Sequence, residues 1–369
     1  MKWFWPVSIG SVLSAGVALS LFLGLPASST ARSQQAAARL QSKPALQSAD
    51  QALPTKPLAA ATEAAPSPPT PAWPELPDLL QTDPALGVPG GGTSHCGPVA
   101  VSNSLVWLSQ HGYPELLPQA PSAAQGGSAG QTDLHARQLE LVRQISAEPF
   151  MGTSRWSGTG PAGVLRGLHR YVKRHGYRYA RLQYQGWRGH QKAFSTGVRR
   201  PELAWIRQAL DDGGVAFLHV GWYKPVPRST VLRRTGGHWV SVVAAGVDEQ
   251  FHEAPMALVV HDPAPYAGDE PERAFVTARE LTEGWLLERG SRQAFSAKGY
   301  YSLEGGMRIK DEGELAVLDG VVVLVMDATS RKPTQGAAQA EPSHLGVQRA
   351  QATAAQATAA QATAAQATE

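Results

Sequence analysis

The chain contains a single cysteine, Cys96, and the sequence that follows it predicts a helix. Pro98 suits the first turn of a helix, and Val101, Leu105 and Leu108 recur on one face. A thiol becomes a nucleophile at neutral pH when a helix N-terminus and a neighbouring imidazole lower its pKa. A single cysteine also excludes an intramolecular disulfide and a Cys-x-x-Cys redox pair. The chemistry predicted is therefore nucleophilic catalysis by a thiol, with the base supplied from elsewhere in the chain.

The imidazole that best fits this role is His238, one of 11 histidines. It follows Gly236 and Gly237, which allow close approach of the backbone, and it opens an apolar run that predicts a strand. Asp262 ends the next apolar strand, directly before Pro263. A carboxylate there would accept a hydrogen bond from the imidazole and fix its tautomer. Two adjacent strands that end side by side would bring His238 and Asp262 together, so we predict a site of Cys96, His238 and Asp262.

Three segments carrying these residues resemble the motifs of a known family. His95–Ala100, Gly236–Val240 and His261–Pro263 are similar to the Cys, His and Asp motifs of the C39-like group of papain-like cysteine peptidases, in the same order. The resemblance implies an α+β papain-like fold, with helices packed on a mainly antiparallel sheet, and a peptide or protein substrate. It implies Cys96, His238 and Asp262 as the catalytic residues.

The chain departs from this family at one position. The resemblance calls for a glutamine about six residues before the cysteine, to help hold the oxyanion, and Gly90 stands there. Backbone N–H groups of residues 89–94, with the N–H of Cys96, are the donors that the sequence offers instead.

The remaining patterns predict helices first and strands afterwards, an order that favours an α+β fold. Further helices are predicted to open at Thr132, to run from Pro161 to the stop at Gly176, and to run from Pro201 to Asp212. Strands are predicted over residues 215–220, 238–244, 258–262 and 321–326.

The ends of the chain differ in composition from its centre. Residues 1–32 have the order of a secretory signal peptide, or of a signal anchor if they are retained. Residues 33–92 are predicted to be a Pro/Ala-rich disordered tether, 93–328 the peptidase-like domain, and 329–369 a disordered tail with Ala-Gln-Ala-Thr repeats. We therefore expect an exported protein, periplasmic, extracellular or at the cell surface, that contacts a membrane only if its N-terminal segment is retained.

Possible metal ligands, the net charge and a basic segment bear on functions other than thiol catalysis. Closely spaced ligand pairs such as His-x-x-x-His are absent from the sequence, so neither a metal nor another cofactor is predicted. The net charge of +3 gives no reason to expect specific nucleic-acid binding.

Residues 166–200, however, contain ten Lys or Arg and no Asp or Glu. This basic segment is either a solvated helix face followed by an edge strand, or the contact surface of a non-catalytic papain-like binding module for anionic polymers.

Overall fold

The structure is a computed structural model, and it describes residues 74–119, 131–264, 273–307, 309 and 313–332. The predicted signal segment 1–32, residues 33–73 of the predicted tether and residues 333–369 of the predicted tail lie outside the described residues.

The four predicted helices are confirmed. They are α1 (Cys96–Gln110), α2 (Gln131–Ser146), α3 (Pro161–Arg174) and α4 (Leu203–Asp211). Proline occupies the first turn of α3, where its missing N–H costs no hydrogen bond. None of the helices in the described ranges is both long and apolar enough to cross a lipid bilayer.

The strands follow mainly after the helices. In the described residues they are β1 (Tyr179–Gly186), β2 (Val215–Pro225), β3 (Val231–Val247), β4 (Glu253–His261), β5 (Arg273–Glu280), β6 (Trp285–Leu287), β7 (Ala294–Ser296), β8 (Tyr301–Glu304) and β9 (Leu315–Met326). The four predicted strands lie within or overlap β2, β3, β4 and β9. The described strands pair antiparallel except β3 with β6, which gives a mixed but mainly antiparallel sheet.

The sheet closes on itself around β2. This strand pairs with both β3 and β9, and the path β3-β4-β5-β8-β9 completes a ring of six strands. The link between β8 and β9 is a single residue pair, Ser302 with Val317. β1 lies outside the ring as an edge strand on β9, which agrees with the edge strand considered for the basic segment.

The two largest apolar cores of the described residues lie against this sheet. One joins α1, α2 and α3 to side chains that include Phe217, Tyr184 and Trp239. The other joins α4 to the alternate residues of the same strands, for example Val240 and Leu218. Successive side chains of a strand point to opposite faces, so β2 and β3 contribute to both cores. The helices therefore cover the sheet, and the N-terminus of α1 lies against β3.

The predicted start of the folded part at residue 93 is wrong, because residues 74–92 are already packed. Leu79 and Leu86 are buried against α1 and α2. The backbone N–H of Gln81 donates to Pro263 O at 2.7 Å, and the N–H of Leu79 donates to Asn103 Oδ1 at 3.2 Å. We call residues 74–83 the N-terminal strap. It binds through backbone hydrogen bonds to distant residues, and a Pro-rich stretch without periodicity gives no local sign of such contacts.

Candidate active site

Cys96 is the first residue of α1, and the residue is 9% exposed. The next residue must be small, because a methyl group at Gly97 would lie 3.2 Å from Cβ of Thr159 and 3.4 Å from Cδ1 of Trp239. The first backbone N–H groups of a helix have no acceptor within the helix and favour negative charge. The position of Cys96 is thus the one at which a thiolate is stabilised.

Strand β3 is fastened directly to this end of α1. The hydroxyl of Ser241 donates to the carbonyl of Ala100 at 2.6 Å, and Nε1 of Trp239 donates to the carbonyl of Thr159 at 2.7 Å. Both donors lie within three residues of His238 on the same strand. The first bond fixes the strand that carries the imidazole against the helix that carries the thiol, and the second fixes the same strand to the segment before α3.

His238 connects the other two predicted site residues. Its Nε2 donates to Oδ1 of Asp262 at 2.5 Å, and the same oxygen accepts the backbone N–H of Ala264 at 2.9 Å. The side chain of His238 also hydrogen bonds to Cys96. Since Nε2 is engaged by the carboxylate, Nδ1 is the ring nitrogen left to face the thiol. The structure therefore brings Cys96, His238 and Asp262 together.

The electrostatics of this trio favour a charged imidazole. Burial by itself lowers the pKa of His238, but the charge of Asp262 and the hydrogen bonds to Asp262 and Cys96 outweigh it and raise the pKa to about 10. His238 is 3% exposed and Asp262 is 1% exposed, so water screens the interaction little. An imidazolium at this place is the partner that stabilises a thiolate.

The loop before Cys96 is stabilised by hydrogen bonds within the loop, which the sequence did not indicate. The N–H of Thr93 and the N–H of His95 donate to carbonyls of the same loop, so neither of these two groups is free to hold an oxyanion. His95, directly before Cys96, is 3% exposed. Gln81 supports the loop, because its Nε2 donates to the carbonyls of Gly92 and Thr93 at 3.1 and 2.9 Å.

Sequence reasoning missed two residues around the imidazole and the carboxylate. The ring of Trp222 stacks on His238 with 5.7 Å between ring centroids, because β2 extends beyond its predicted end at residue 220. Asp78 of the N-terminal strap has both carboxylate oxygens buried without a hydrogen-bond partner. Burial and then the charge of Asp262 raise the pKa of Asp78 to about 8, against the opposing effect of Arg273.

A second buried ion pair lies on β3, four residues before His238. Asp319 accepts hydrogen bonds from Nε of Arg234 at 2.7 Å, from the hydroxyl of Tyr223 at 2.7 Å and from Nε1 of Trp187 at 3.0 Å. The guanidinium of Arg234 lies over Gly237, where any side chain would collide with it. The glycine before His238 thus makes room for this ion pair.

Within the described residues, no group of three or more His, Cys, Asp or Glu side chains is arranged to hold a metal ion. No protein-family model and no curated protein was found to match this chain. Chemically, the trio offers a thiol, an imidazole able to exchange a proton with it, and a carboxylate that orients the imidazole. That arrangement is suited to acyl transfer.

Proposed function

We propose that this protein is a thiol-dependent hydrolase that acts outside the cytoplasm, and specifically a cysteine peptidase of papain-like fold. One observation carries the proposal: His238 is hydrogen bonded to Asp262 on one side and to Cys96 on the other. The order of the N-terminal 32 residues supports export.

In the proposed reaction, the Cys96 thiolate attacks the carbonyl carbon of a peptide bond and forms a tetrahedral intermediate. The His238 imidazolium gives its proton to the leaving amine as the C–N bond breaks, which leaves an acyl thioester on Cys96. Water then attacks the thioester carbonyl and gives a proton to His238. Release of the carboxylic acid product restores the thiolate–imidazolium pair, with Asp262 orienting the ring throughout.

Stabilisation of the oxyanion is assigned to the start of α1. The N-terminus of this 15-residue helix carries the partial positive charge of the helix dipole. Backbone N–H groups of the first turn are donors of the kind that hold an oxyanion. Gln81 is unsuited to this role in its present position, because its amide donates to two loop carbonyls.

The proposal is tested first by the reactivity of the thiol, because Cys96 is the only cysteine. Iodoacetamide labelling of the folded chain, followed by mass spectrometry, should be about tenfold or more faster than labelling of a model thiol at about pH 6, where free thiols are protonated. His238→Ala, and His238→Gln if alanine destabilises the fold, should remove this advantage. His252→Ala is the matched control, because His252 is exposed and its side chain pairs with the surface carboxylate of Asp248.

Turnover is tested separately with a broad library of quenched fluorescent peptides. Wild-type chain should cleave members of the library, and Cys96→Ser should cleave none. Slow labelling that His238 variants leave unchanged would contradict the thiol–imidazole pairing. Fast labelling without any cleavage would contradict the peptidase assignment and leave a reactive thiol of another use.

The alternative, a polymer-binding module that uses the basic segment, finds less support. Four of its ten cations are paired with carboxylates: Arg166 with Glu148, Arg178 with Asp327, Arg181 with Asp212 and Arg188 with Glu288. A surface for a polyanion needs a continuous row of unpaired cations, because each phosphate or sulfate neutralised requires one. The ion pairs interrupt such a row.

A further inference from the structure

The last two cations of the basic segment lie in a different environment from the rest. Arg199 and Arg200 are exposed, and among the described residues neither has a carboxylate within 4.0 Å. Both line a cavity of about 470 Å³, within the size range of small-ligand sites. The cavity lies between residues 198–202, which precede α4, and residues around the β7–β8 connection.

Both arginines contact other residues of the cavity wall. Arg199 hydrogen bonds to the hydroxyl of Tyr300, and its Cζ lies 5.6 Å from the ring centroid of Phe295. Arg200 lies against Gly299, where an added methyl group would be 3.0 Å from its Cδ. Two arginines that line one cavity, neither with a carboxylate within 4.0 Å among the described residues, can bind a planar anion that accepts bidentate hydrogen bonds.

The remaining walls favour a peptide over a polyanion. They include the aromatic rings of Phe295, Tyr300 and Tyr301, and the apolar side chains of Val198 and Pro201. Aromatic and apolar walls around a small number of fixed charges are typical of sites for peptide side chains and termini.

The carboxylate of Glu202, which also lines the cavity, is hydrogen bonded to the side chain of Gln185. Glu202 accepts a hydrogen bond from Nε2 of Gln185 at 3.2 Å, and its N–H donates to Oε1 of the same residue at 2.9 Å. The two arginines are therefore the charged groups left to meet a ligand.

We propose that this cavity is a docking site for a carboxylate group of a peptide, held by Arg199 and Arg200 between aromatic walls. The carboxylate is that of an acidic side chain or of a peptide C-terminus, which present the same chemistry. The proposal goes beyond the peptidase assignment and does not depend on it.

The test measures binding by fluorescence anisotropy to full-length Cys96→Ala, which removes any turnover by the thiol. The probes are three rhodamine-labelled peptides: Ala-Phe-Glu-Phe-Ala amide, its Gln analogue as amide, and the Gln analogue with a free C-terminal carboxylate. At least one carboxylate-bearing probe should bind about tenfold or more tightly than the neutral Gln amide. Comparison of the two carboxylate-bearing probes distinguishes a side-chain carboxylate from a C-terminal one.

Arg199→Ala/Arg200→Ala should abolish this preference, and Arg199→Gln/Arg200→Gln is the second variant should the first fail to fold. Lys173→Ala/Arg174→Ala removes the same charge from the same basic segment on α3, and should leave binding within about twofold. Equal loss in this control would mean unspecific attraction and would overturn the proposal. Equal binding of the three probes would overturn it too. A third outcome would also overturn the proposal: the chain binds inorganic polyphosphate but none of the peptides, and the Arg199/Arg200 changes leave polyphosphate binding unaffected. That result would favour the polymer-binding surface.

Discussion

Strand β3 carries the cations of two buried ion pairs, Arg234 and His238, four residues apart. The two pairs differ in whether the cation can exchange its proton. In one, Asp319 is fully buried and accepts from Arg234, Tyr223 and Trp187. In the other, Asp262 accepts from His238, whose ring also hydrogen bonds to a thiol. Arginine stays protonated in proteins, whereas histidine exchanges its proton near neutral pH.

The difference explains why only one of these pairs suits catalysis. Because an arginine does not exchange its proton at neutral pH, the pair of Arg234 and Asp319 can fix neighbouring strands but cannot transfer a proton. The Asp262 carboxylate holds a ring whose other nitrogen faces Cys96. We therefore expect changes at Asp262 to affect reactivity more than stability, and changes at Asp319 to do the reverse.

The largest expected effect is on the rate of the Asp262→Asn variant. An amide carries no negative charge and stabilises the imidazolium less than a carboxylate does, so the pKa of His238 should fall. Peptide cleavage should fall about 10³-fold or more, measured as kcat/KM on any substrate that the wild type cleaves. The melting temperature should fall by less than that of an Asp319 variant. A rate within about tenfold of wild type would contradict the assigned role of Asp262.

The next effect is the loss of stability of Asp319→Ala. Removing the carboxylate leaves Arg234 buried without its ionic partner, which costs about 3–5 kcal/mol in the free energy of unfolding. Denaturant unfolding measures it. The control is Asp319→Leu/Arg234→Met, which removes both charges and should recover part of the loss, because Tyr223 and Trp187 still lose their acceptor. An unchanged free energy of unfolding for Asp319→Ala would show that the pair contributes little.

A smaller effect is expected from Asp78→Asn, and it depends on pH. The pKa of Asp78 is raised from its ordinary value near 3.8 to about 8 in the folded state, so folding binds a proton between these values. The associated stability is fully present below pH 3.8 and is lost as the pH rises to about 8. The amide of the variant does not ionise and carries no such cost, so the variant should melt higher than wild type by about 5 °C or more near pH 8 and by less near pH 5.

Asp83→Asn is the matched control for this change. Asp83 lies on the same strap but pairs with the half-exposed His135 at the surface. Its substitution should not raise the melting temperature near pH 8. If Asp78→Asn and wild type respond identically to pH, the buried carboxyl of Asp78 is not the group that titrates.

The smallest effect concerns the bond between β3 and α1. Ser241→Ala removes the buried hydrogen bond to the carbonyl of Ala100 and should cost about 1 kcal/mol in the free energy of unfolding. Ser229→Ala is the control, because Ser229 makes a similar bond to Val226 in an exposed turn. An equal effect of both changes would mean that burial does not strengthen the attachment of β3.

Local sequence patterns predicted those helices and strands whose own residues show an apolar period, an apolar run or a proline at the start. Helix α1 follows from Pro98 and the apolar spacing after it, and the central part of β3 from its continuous apolar run. β6 and β7 have only three residues each, too few for a period to be recognised. Small residues weaken the alternation of β5, whose inward side chains are Ala274, Val276 and Ala278.

The sequence by itself determined the chemical groups available: one thiol at a helix start, and a histidine and an aspartate on successive strands. Only the tertiary structure decided that Asp319 meets Arg234 across 85 residues and that Asp78 is buried near Asp262. The reason is physical. Helix and strand periods follow from contacts a few residues apart, whereas these pairings depend on strand register and on the path of the strap, which nearby residues do not encode.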